Sequence, residues 1–487
     1  MEGVVPPLTA LVQPNGSNWV AGREDVTRIA NIMPPHGLMM MAACLARRGF
    51  PSVIVDTFAH PASTGDTVRE ILSHNPPLVG ITATTSSFLA GYEIARAIKA
   101  ERPDTRVLFG GVHATSLWPR LMAEYPAIDF IAVGEGEGTL LDLVEAGLQP
   151  GPGIPGLAHR TGDGEVRFGG PRPLIEDLDS LPFPAYEKLK GFPKAYPLPM
   201  FSYPRAPATT LITSRGCPFT CSYCDRSVFG SSFRAHSPEY LLDHLRFLKT
   251  RFGIRHVSIY DDNFTLKRER VVAFCEGLVA SGLGMTFNCI GRAKSLDGTT
   301  LKLMKRAGCW MINLGVESGD EQVLAKHRSG SDAEALDLAI REAKAVGIRV
   351  KGLFMMGFPG ETEESILKTI TYCMSKDFDE VNLTKFTPFP GAPVYATARA
   401  SGRFDEDWNK MNCVNFVYIP EGFTQERLEY WYAHFYRTYY RRPQTLWRFA
   451  SMTWKTPHSL YRFLRHLPQL LAVRTMMDQT LSERPPE

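Results

Sequence analysis

The sequence predicts an α/β protein of two successive parallel-sheet units followed by helices, and three observations carry that prediction. Short β-branched runs alternate with amphipathic helical stretches through the first 150 residues. The alternation returns with a longer period from Thr209, and beyond Phe404 only helical patterns remain. Strand–helix alternation of this kind gives parallel sheets covered by helices.

In the first unit, 1–149, the β-branched runs fall at 8–14, 52–58, 78–85, 106–111 and 129–133. Helical patterns lie near 36–48, 67–74, 88–101 and 117–125. This looks like a Rossmann-like domain, whose ligands sit at the C-terminal ends of the strands. Residues 150–206 are rich in Pro and Gly, beginning Pro150-Gly151-Pro152-Gly153, and read as a linker that partly wraps the next domain. In the second unit, 207–402, strands are expected at 209–213, 256–260, 286–290, 311–316, 349–356 and 380–385. Helices are expected near 238–252, 268–281, 296–307, 321–327, 332–346 and 363–375. Six β/α units predict an open (β/α)6 barrel, smaller than the closed eight-unit form, with its chemistry at the C-terminal strand ends. The remainder, 403–487, is expected to be a C-terminal helical cap over the barrel mouth.

Composition bounds the function. The chain has 487 residues, 44% hydrophobic and 22% charged, with a net charge of +3. That balance gives no global electrostatic case for a nucleic-acid partner. Residues 1–9 show no basic and apolar leader, and the longest apolar stretch, 38–46, is too short to span a bilayer. A cytoplasmic location is the resulting expectation. Three of the nine cysteines crowd into one short loop, which in a reducing compartment points to metal or redox chemistry rather than disulfides. The other six, Cys44, Cys275, Cys289, Cys309, Cys373 and Cys413, lie in apolar contexts and read as buried small hydrophobes. Cys289 and Cys309, near strand positions, are also candidates for an active-site thiol.

The crowded loop is Arg215-Gly216-Cys217-Pro218-Phe219-Thr220-Cys221-Ser222-Tyr223-Cys224. Cys-x3-Cys-x2-Cys lets three thiolates converge on one face of an iron–sulfur cube, which normally takes four. With no fourth cysteine near, one iron would stay open to an external ligand, the mark of a reactive metal site. The alternative is a zinc site completed by His236.

This motif, with an aromatic residue before the last cysteine, resembles the signature of radical S-adenosylmethionine (SAM) enzymes, over residues 209–393. The resemblance implies a [4Fe-4S] cluster on Cys217, Cys221 and Cys224. The open iron would chelate SAM, whose reductive cleavage gives a 5′-deoxyadenosyl radical that abstracts a substrate hydrogen. It also implies an external electron donor such as flavodoxin or ferredoxin. Polar or glycine residues at the expected strand ends agree: Asp261-Asp262-Asn263, Arg292, Glu317-Ser318-Gly319 and Gly357-Phe358-Pro359-Gly360-Glu361. By resemblance, the acidic turn would bind the ammonium of SAM and Arg292 its carboxylate, with Glu317 and Ser318 near the ribose and Tyr223 near the adenine. Plainer roles exist for each. Asp261 and Asp262 fit a helix N-cap, Arg292 and Glu317 a buried ion pair, and Gly357 and Gly360 a tight turn.

In the first unit, Pro34-Pro35-His36-Gly37-Leu38 opens a helix, Gly110-Gly111-Val112-His113-Ala114-Thr115 follows the fourth strand, and Gly134-Glu135-Gly136-Glu137 follows the fifth. These look like the cobalamin-binding domain that precedes many radical SAM barrels. Glycines there let backbone approach a bulky ligand, and Thr84, Thr85 and Ser86 would cradle its nucleotide tail. The Asp-x-His-x2-Gly motif of cobalt-ligating relatives is absent: Asp56-Thr57-Phe58-Ala59-His60 has its histidine at the wrong offset. His113 is read as a hydrogen-bonding residue rather than a ligand. The alternative is a degenerate domain that only packs over the barrel.

The order of domains resembles the group of the anaerobic magnesium-protoporphyrin monomethyl ester cyclase and the hopanoid and phosphonate methylases. It implies cobalamin-dependent methylation of an unactivated carbon of a small molecule. The alternatives are oxidative cyclisation or rearrangement without methyl transfer, and a non-catalytic cobalamin- or redox-sensing module. The aromatic and arginine-rich stretch 425–471 has two readings: a lid over the barrel, or a peripheral membrane patch at 441–471 delivering a lipid-like or tetrapyrrole substrate.

Overall fold

The structure, a computed structural model, describes residues 6–16, 20–21, 24–25, 31–151, 153–468 and 471. The start of the chain at 1–5, Pro152 of the expected linker, and 469–470 and 472–487 of the expected cap lie outside the described residues.

In the first domain, β1 (Thr9–Gln13), β2 (Ser52–Asp56), β3 (Leu78–Thr82), β4 (Arg106–Gly110) and β5 (Phe130–Ala132) pair in parallel, in the order β2-β1-β3-β4-β5. Helices α1 (His36–Arg47), α2 (Thr64–Ser73), α3 (Phe88–Glu101), α4 (Val112–Glu124) and α5 (Gly136–Glu145) connect them. This order reverses direction between β1 and β3, which opens a crevice beyond the carboxyl ends of the strands. Two details differ from expectation. First, α4 begins at Val112, not near 117. Gly111, at φ +96°, precedes its first turn, and Leu117 leaves helical geometry ahead of Pro119, so the proline hides that turn in the sequence. Second, β6 (Leu157–Arg160) extends the sheet antiparallel to β5, and β7 (Val166–Phe168) pairs antiparallel with β6, inside the expected linker. Strands this short show no period against their Gly/Pro surroundings.

The second domain has six parallel strands in sequential order: β8 (Ala208–Leu211), β9 (His256–Ile259), β10 (Thr286–Gly291), β11 (Cys309–Glu317), β12 (Arg349–Met356) and β13 (Glu380–Lys385). Helices α6 (Pro238–Phe252), α7 (Arg268–Ala280), α8 (Gly298–Arg306), α9 (Glu321–His327), α10 (Ala333–Ala345) and α11 (Glu363–Ser375) intervene. Their starts are well specified: Ser237 and Asp332 cap α6 and α10, and Thr362 forms a capping box on α11. Along β12, Val350, Phe354 and Met356 are buried in the main core, while Lys351, Leu353 and Met355 alternate as half-buried residues on the concave face. Cys275, Cys289 and Cys309 lie in that same core. Of the six cysteines expected to be buried, only Cys413 is half-buried.

An open barrel leaves a sheet edge whose backbone groups need partners. On β13 they come from α12 (Gln425–Tyr440). The Tyr436 hydroxyl accepts from Leu383 N–H at 2.9 Å and lies 3.2 Å from Leu383 O, and the Tyr439 and Tyr440 hydroxyls donate to Phe378 O and Val381 O at 2.8 and 3.3 Å. The aromatic run thus edges the barrel.

The C-terminal region is not wholly helical. β14 (Gly402–Phe404) and β15 (Tyr418–Pro420) form an antiparallel pair, and Trp408 between them packs on Phe88 of the first domain. The last helices, α13 (Pro443–Lys455) and α14 (Pro457–Arg465), do cap the barrel, but at the end opposite its mouth. Arg448 donates to Phe378 O just ahead of β13, the His458 ring packs tilted against Tyr203, and Ser459 accepts from Phe201 N–H in the strap that leads into β8. Among the described residues no helix is long and apolar enough to cross a membrane.

Candidate active site

The carboxyl ends of both sheets face one another across a cavity of about 380 Å³. From the first domain, Gly110, Gly111, Gly134, Glu135 and Gly136 line it; from the barrel, Cys217, Cys224 and Asp262 do. A Cβ placed on Gly37 or Gly134 would meet nothing within 4 Å, and one on Gly110 only Ala132 at 3.9 Å. That open cradle, with Leu38, Met40 and Met41 as apolar wall, fits a large flat ligand lying against backbone.

The three cysteines are free and half-buried. Burial pushes the Cys224 thiol up to about 12, with Asp262 and the other two cysteines adding to it, and burial also raises Cys217. Thiols so placed ionise when a metal shares their charge. Among the described residues no three His, Cys, Asp or Glu groups converge on a single-ion site, and His236 is hydrogen-bonded to Asp179 at 3.1 Å and stacked on Tyr240. The donor set, three thiols in one loop, fits a cluster with an open iron better than a four-ligand zinc ion.

Around that loop the expected cofactor residues separate. Asp261 is consumed by structure: its oxygens accept from the backbone N–H and hydroxyl groups of both Thr213 and Ser214, which ties the start of the loop to β9. Asp262 faces the cavity, its carboxyl raised by burial and by Asp261 and lowered only by the Gly216 N–H. Asn263 is buried; its Oδ1 accepts from the Thr265 hydroxyl at 3.2 Å and its Nδ2 has no partner among the described residues. Arg292 stacks over Phe219 at 3.8 Å and donates to Ser329 O at 2.5 Å. Glu317 is held at φ +66°, an uncommon region for a residue with a side chain. Burial raises its carboxyl, opposed by Arg328, Arg292 and the hydroxyl of Tyr223. Tyr223, Arg292 and Glu317 therefore form one group beside the cysteines. Ser318 turns away to Thr369 at 3.0 Å, and Gly357, at φ +97°, serves the turn closed by Glu361.

In the first domain the structure brings the glycines to the cavity but not Thr84, Thr85, Ser86 or His113. Thr84 caps the short turn Thr85–Ser87, and Thr85 hydrogen-bonds His113 Nδ1 at 3.3 Å. His113 sits between Phe88 and Trp408, where burial lowers its pKa to about 3. Of the two histidines on the cavity wall, His36 is tied by Nε2 to Thr210 at 2.8 Å and His236 to Asp179.

The sequence alone assigns no role to Arg215 or Glu137, which the structure pairs. Arg215 donates to Glu135 and Glu137, each at 2.6 Å, joining the cysteine loop to the cavity loop of the other domain. Burial alone would push Glu135 up, but Arg215 and Arg234 hold its carboxyl below the usual range. Asp225 and Arg226, directly after Cys224, also line the cavity; their adjacency to the motif was the available signal.

Residues 211–373 match the family model described as the Radical SAM superfamily, and residues 23–144 match that of the B12 binding domain. An uncharacterized methyltransferase of Pyrococcus horikoshii is 32% identical over 418 residues, 85% of this chain and 89% of the relative. The anaerobic magnesium-protoporphyrin IX monomethyl ester cyclase of Rubrivivax gelatinosus is 29% identical over 377 residues, 75% of this chain and 66% of the relative. The solved structure of the radical S-adenosylmethionine methyltransferase TsrM from Kitasatospora setae, with cobalamin and a [4Fe-4S] cluster bound, is similar at a TM-score of 0.66 and 20% identity. That likeness, which is of fold, covers 81% of this chain and 78% of the other.

Proposed function

This chain belongs to the radical SAM superfamily with a B12-binding domain ahead of its barrel, and from that premise we propose that it methylates an unactivated carbon of a small-molecule substrate. The observation that supports this most is the shared cavity, which the glycine loops of one domain and the cysteine loop of the other both line. When bound, the cluster with SAM supplies hydrogen abstraction and cobalamin supplies the methyl group. The chain's own residues hold and shield these groups. Cys217, Cys221 and Cys224 would ligate three irons; Asp262 and the Tyr223–Arg292–Glu317 group would seat SAM. Gly110, Gly111, Gly134 and Gly136 would admit the corrin, and Leu38, Met40 and Met41 would exclude water. An external reductant of the flavodoxin or ferredoxin kind completes the electron balance.

A second reading, oxidative cyclisation of a tetrapyrrole without methyl transfer, is favoured by the cyclase relative. We also place the chain in the cytoplasm, resting on a membrane through the exposed apolar residues of α13 and α14. The deciding experiment is anaerobic reconstitution with iron, sulfide and hydroxocobalamin, then desalting. About four irons and about one cobalamin per chain are expected. Gly110→Leu, whose side chain would fill the cradle, should keep the iron and lose the cobalamin. Products then separate the readings: S-adenosylhomocysteine with 5′-deoxyadenosine for methylation, 5′-deoxyadenosine alone for cyclisation. Iron retained without cobalamin would sink the methylation reading.

A further inference from the structure

The cysteine loop is held by charges that come from the other domain. Ser214–Arg215 pairs antiparallel with Arg234–Ala235, and the register sets Arg215 opposite Arg234. Like charges directly opposite in a ladder repel. Glu135 joins both. Its Oε1 accepts from Arg215 at 2.6 Å, and its two oxygens accept from Arg234 Nη1 at 3.0 and 2.8 Å. Glu137 takes the other Arg215 nitrogen at 2.6 Å. Ile175 completes the arrangement, its N–H donating to Glu135 at 2.8 Å and its carbonyl accepting from Arg234 at 2.7 Å. None of the four charged side chains is more than 11% exposed.

Burying charges in this way is a poor source of stability, since apolar residues of similar volume often serve as well. What it does give is direction, because a guanidinium held by two carboxylates is fixed in distance and plane. The position of those carboxylates matters. Glu135 and Glu137 flank Gly136 where the chain passes from β5 into α5 and lines the cavity from the first domain, and Arg215 stands two residues before Cys217. Between them, Gly216 packs so closely that a Cβ would lie 2.1 Å from Ser232 O. The loop has little room to absorb a shift of Arg215, so the shift passes on to Cys217.

We propose that Glu135, Glu137 and Arg215 are positioning residues that couple the two cofactor sites: a corrin seated against 134–137 biases the cysteine loop toward its cluster-holding geometry, and a cluster in that loop biases 134–137 toward corrin binding. The proposal rests on the reading of the cavity as the cobalamin site. Such coupling is reciprocal by linkage.

The test is a pair of hydroxocobalamin titrations, followed by absorbance, on iron-free and on cluster-reconstituted full-length protein, with thermal melting as a check of folding. The reconstituted wild type should bind about five- to tenfold more tightly than the iron-free form. In Glu135→Gln, which keeps the shape but leaves Arg234 without a carboxylate and Arg215 with Glu137 alone, that ratio should fall to about one. Should Glu135→Gln fail to fold, Glu137→Gln removes a single ion pair and should shrink the ratio. A merely structural role would lower the melting temperature and leave the ratio intact. A wild type that binds cobalamin equally with and without its cluster, or variants that keep the wild-type ratio, would overturn the coupling alone. A wild type that takes up no cobalamin would overturn the functional reading, and the coupling with it.

Discussion

Glu361 is a buried carboxyl in the turn after β12, with no salt-bridge partner among the described residues. It is 2% exposed, and one oxygen accepts the N–H groups of Gly357 at 2.5 Å and Phe358 at 3.2 Å. Burial raises its pKa from 4.5 to about 8, and those two hydrogen bonds offset only part of the rise. The folded pKa lies above the unfolded one, so the folded state binds more protons between pH 4.5 and about 8. Its contribution to stability is therefore full below that window, falls as pH rises through it, and is constant above. Glu361→Gln keeps an acceptor oxygen but cannot ionise. The variant's melting temperature should fall less than the wild type's between about pH 5 and about pH 9. Parallel curves would remove Glu361 as the source. The sequence already joined Gly357, Gly360 and Glu361 in one turn, because that association is local. The separation of Thr84, Thr85 and His113 from the cavity was not legible, since it depends on Trp408, which arrives from far along the chain.

At the scale of elements, α12 shows why an aromatic-rich helix follows an open barrel. β13 has a neighbour on one side only, and Tyr436 occupies the other, accepting from Leu383 N–H and lying within hydrogen-bond distance of its carbonyl. Tyr436→Phe keeps the ring but leaves that N–H facing an apolar edge. A loss of about 1–2 kcal/mol is expected, seen as a lower denaturant midpoint with an unchanged slope. Cobalamin and iron uptake should be unaffected, because the contact lies outside the cavity. An unchanged midpoint would mean water satisfies the edge. The repeating β/α units were legible in the sequence because each is several turns or strand residues long. The hairpin of β14 and β15, with three residues in each strand, was not, and neither was the Glu135–Arg215 pair, whose partners lie 80 residues apart.

At the scale of the whole molecule, the positions of the cavity and of α13 and α14 decide what a membrane contact would do. The cavity lies at the carboxyl ends of the barrel strands, whereas α13 and α14 pack where the strands begin. Each of these helices leaves large apolar side chains in water: Leu446 and Trp447 are 57% and 69% exposed, Tyr461 and Leu464 67% and 58%. Between Glu429 and Asp478 the sequence contains no acidic residue and eight Lys or Arg. Exposed apolar stripes flanked by cations match an anionic bilayer surface, where burial of the stripe and attraction of the cations add. A chain seated this way keeps its cavity at the end of the barrel away from the bilayer, so the contact would anchor the enzyme rather than feed it. The full-length protein should co-sediment with phosphatidylcholine vesicles containing about 30% phosphatidylglycerol, but not with phosphatidylcholine alone, and should be released by about 0.5 M salt. Trp447→Ala with Leu464→Ala should weaken this binding at least severalfold while iron and cobalamin uptake stay unchanged. Equal binding to neutral vesicles would remove the electrostatic half of the argument. No binding to either, with concentration-dependent self-association that the double variant abolishes, would assign the exposed stripes to a second copy of the chain.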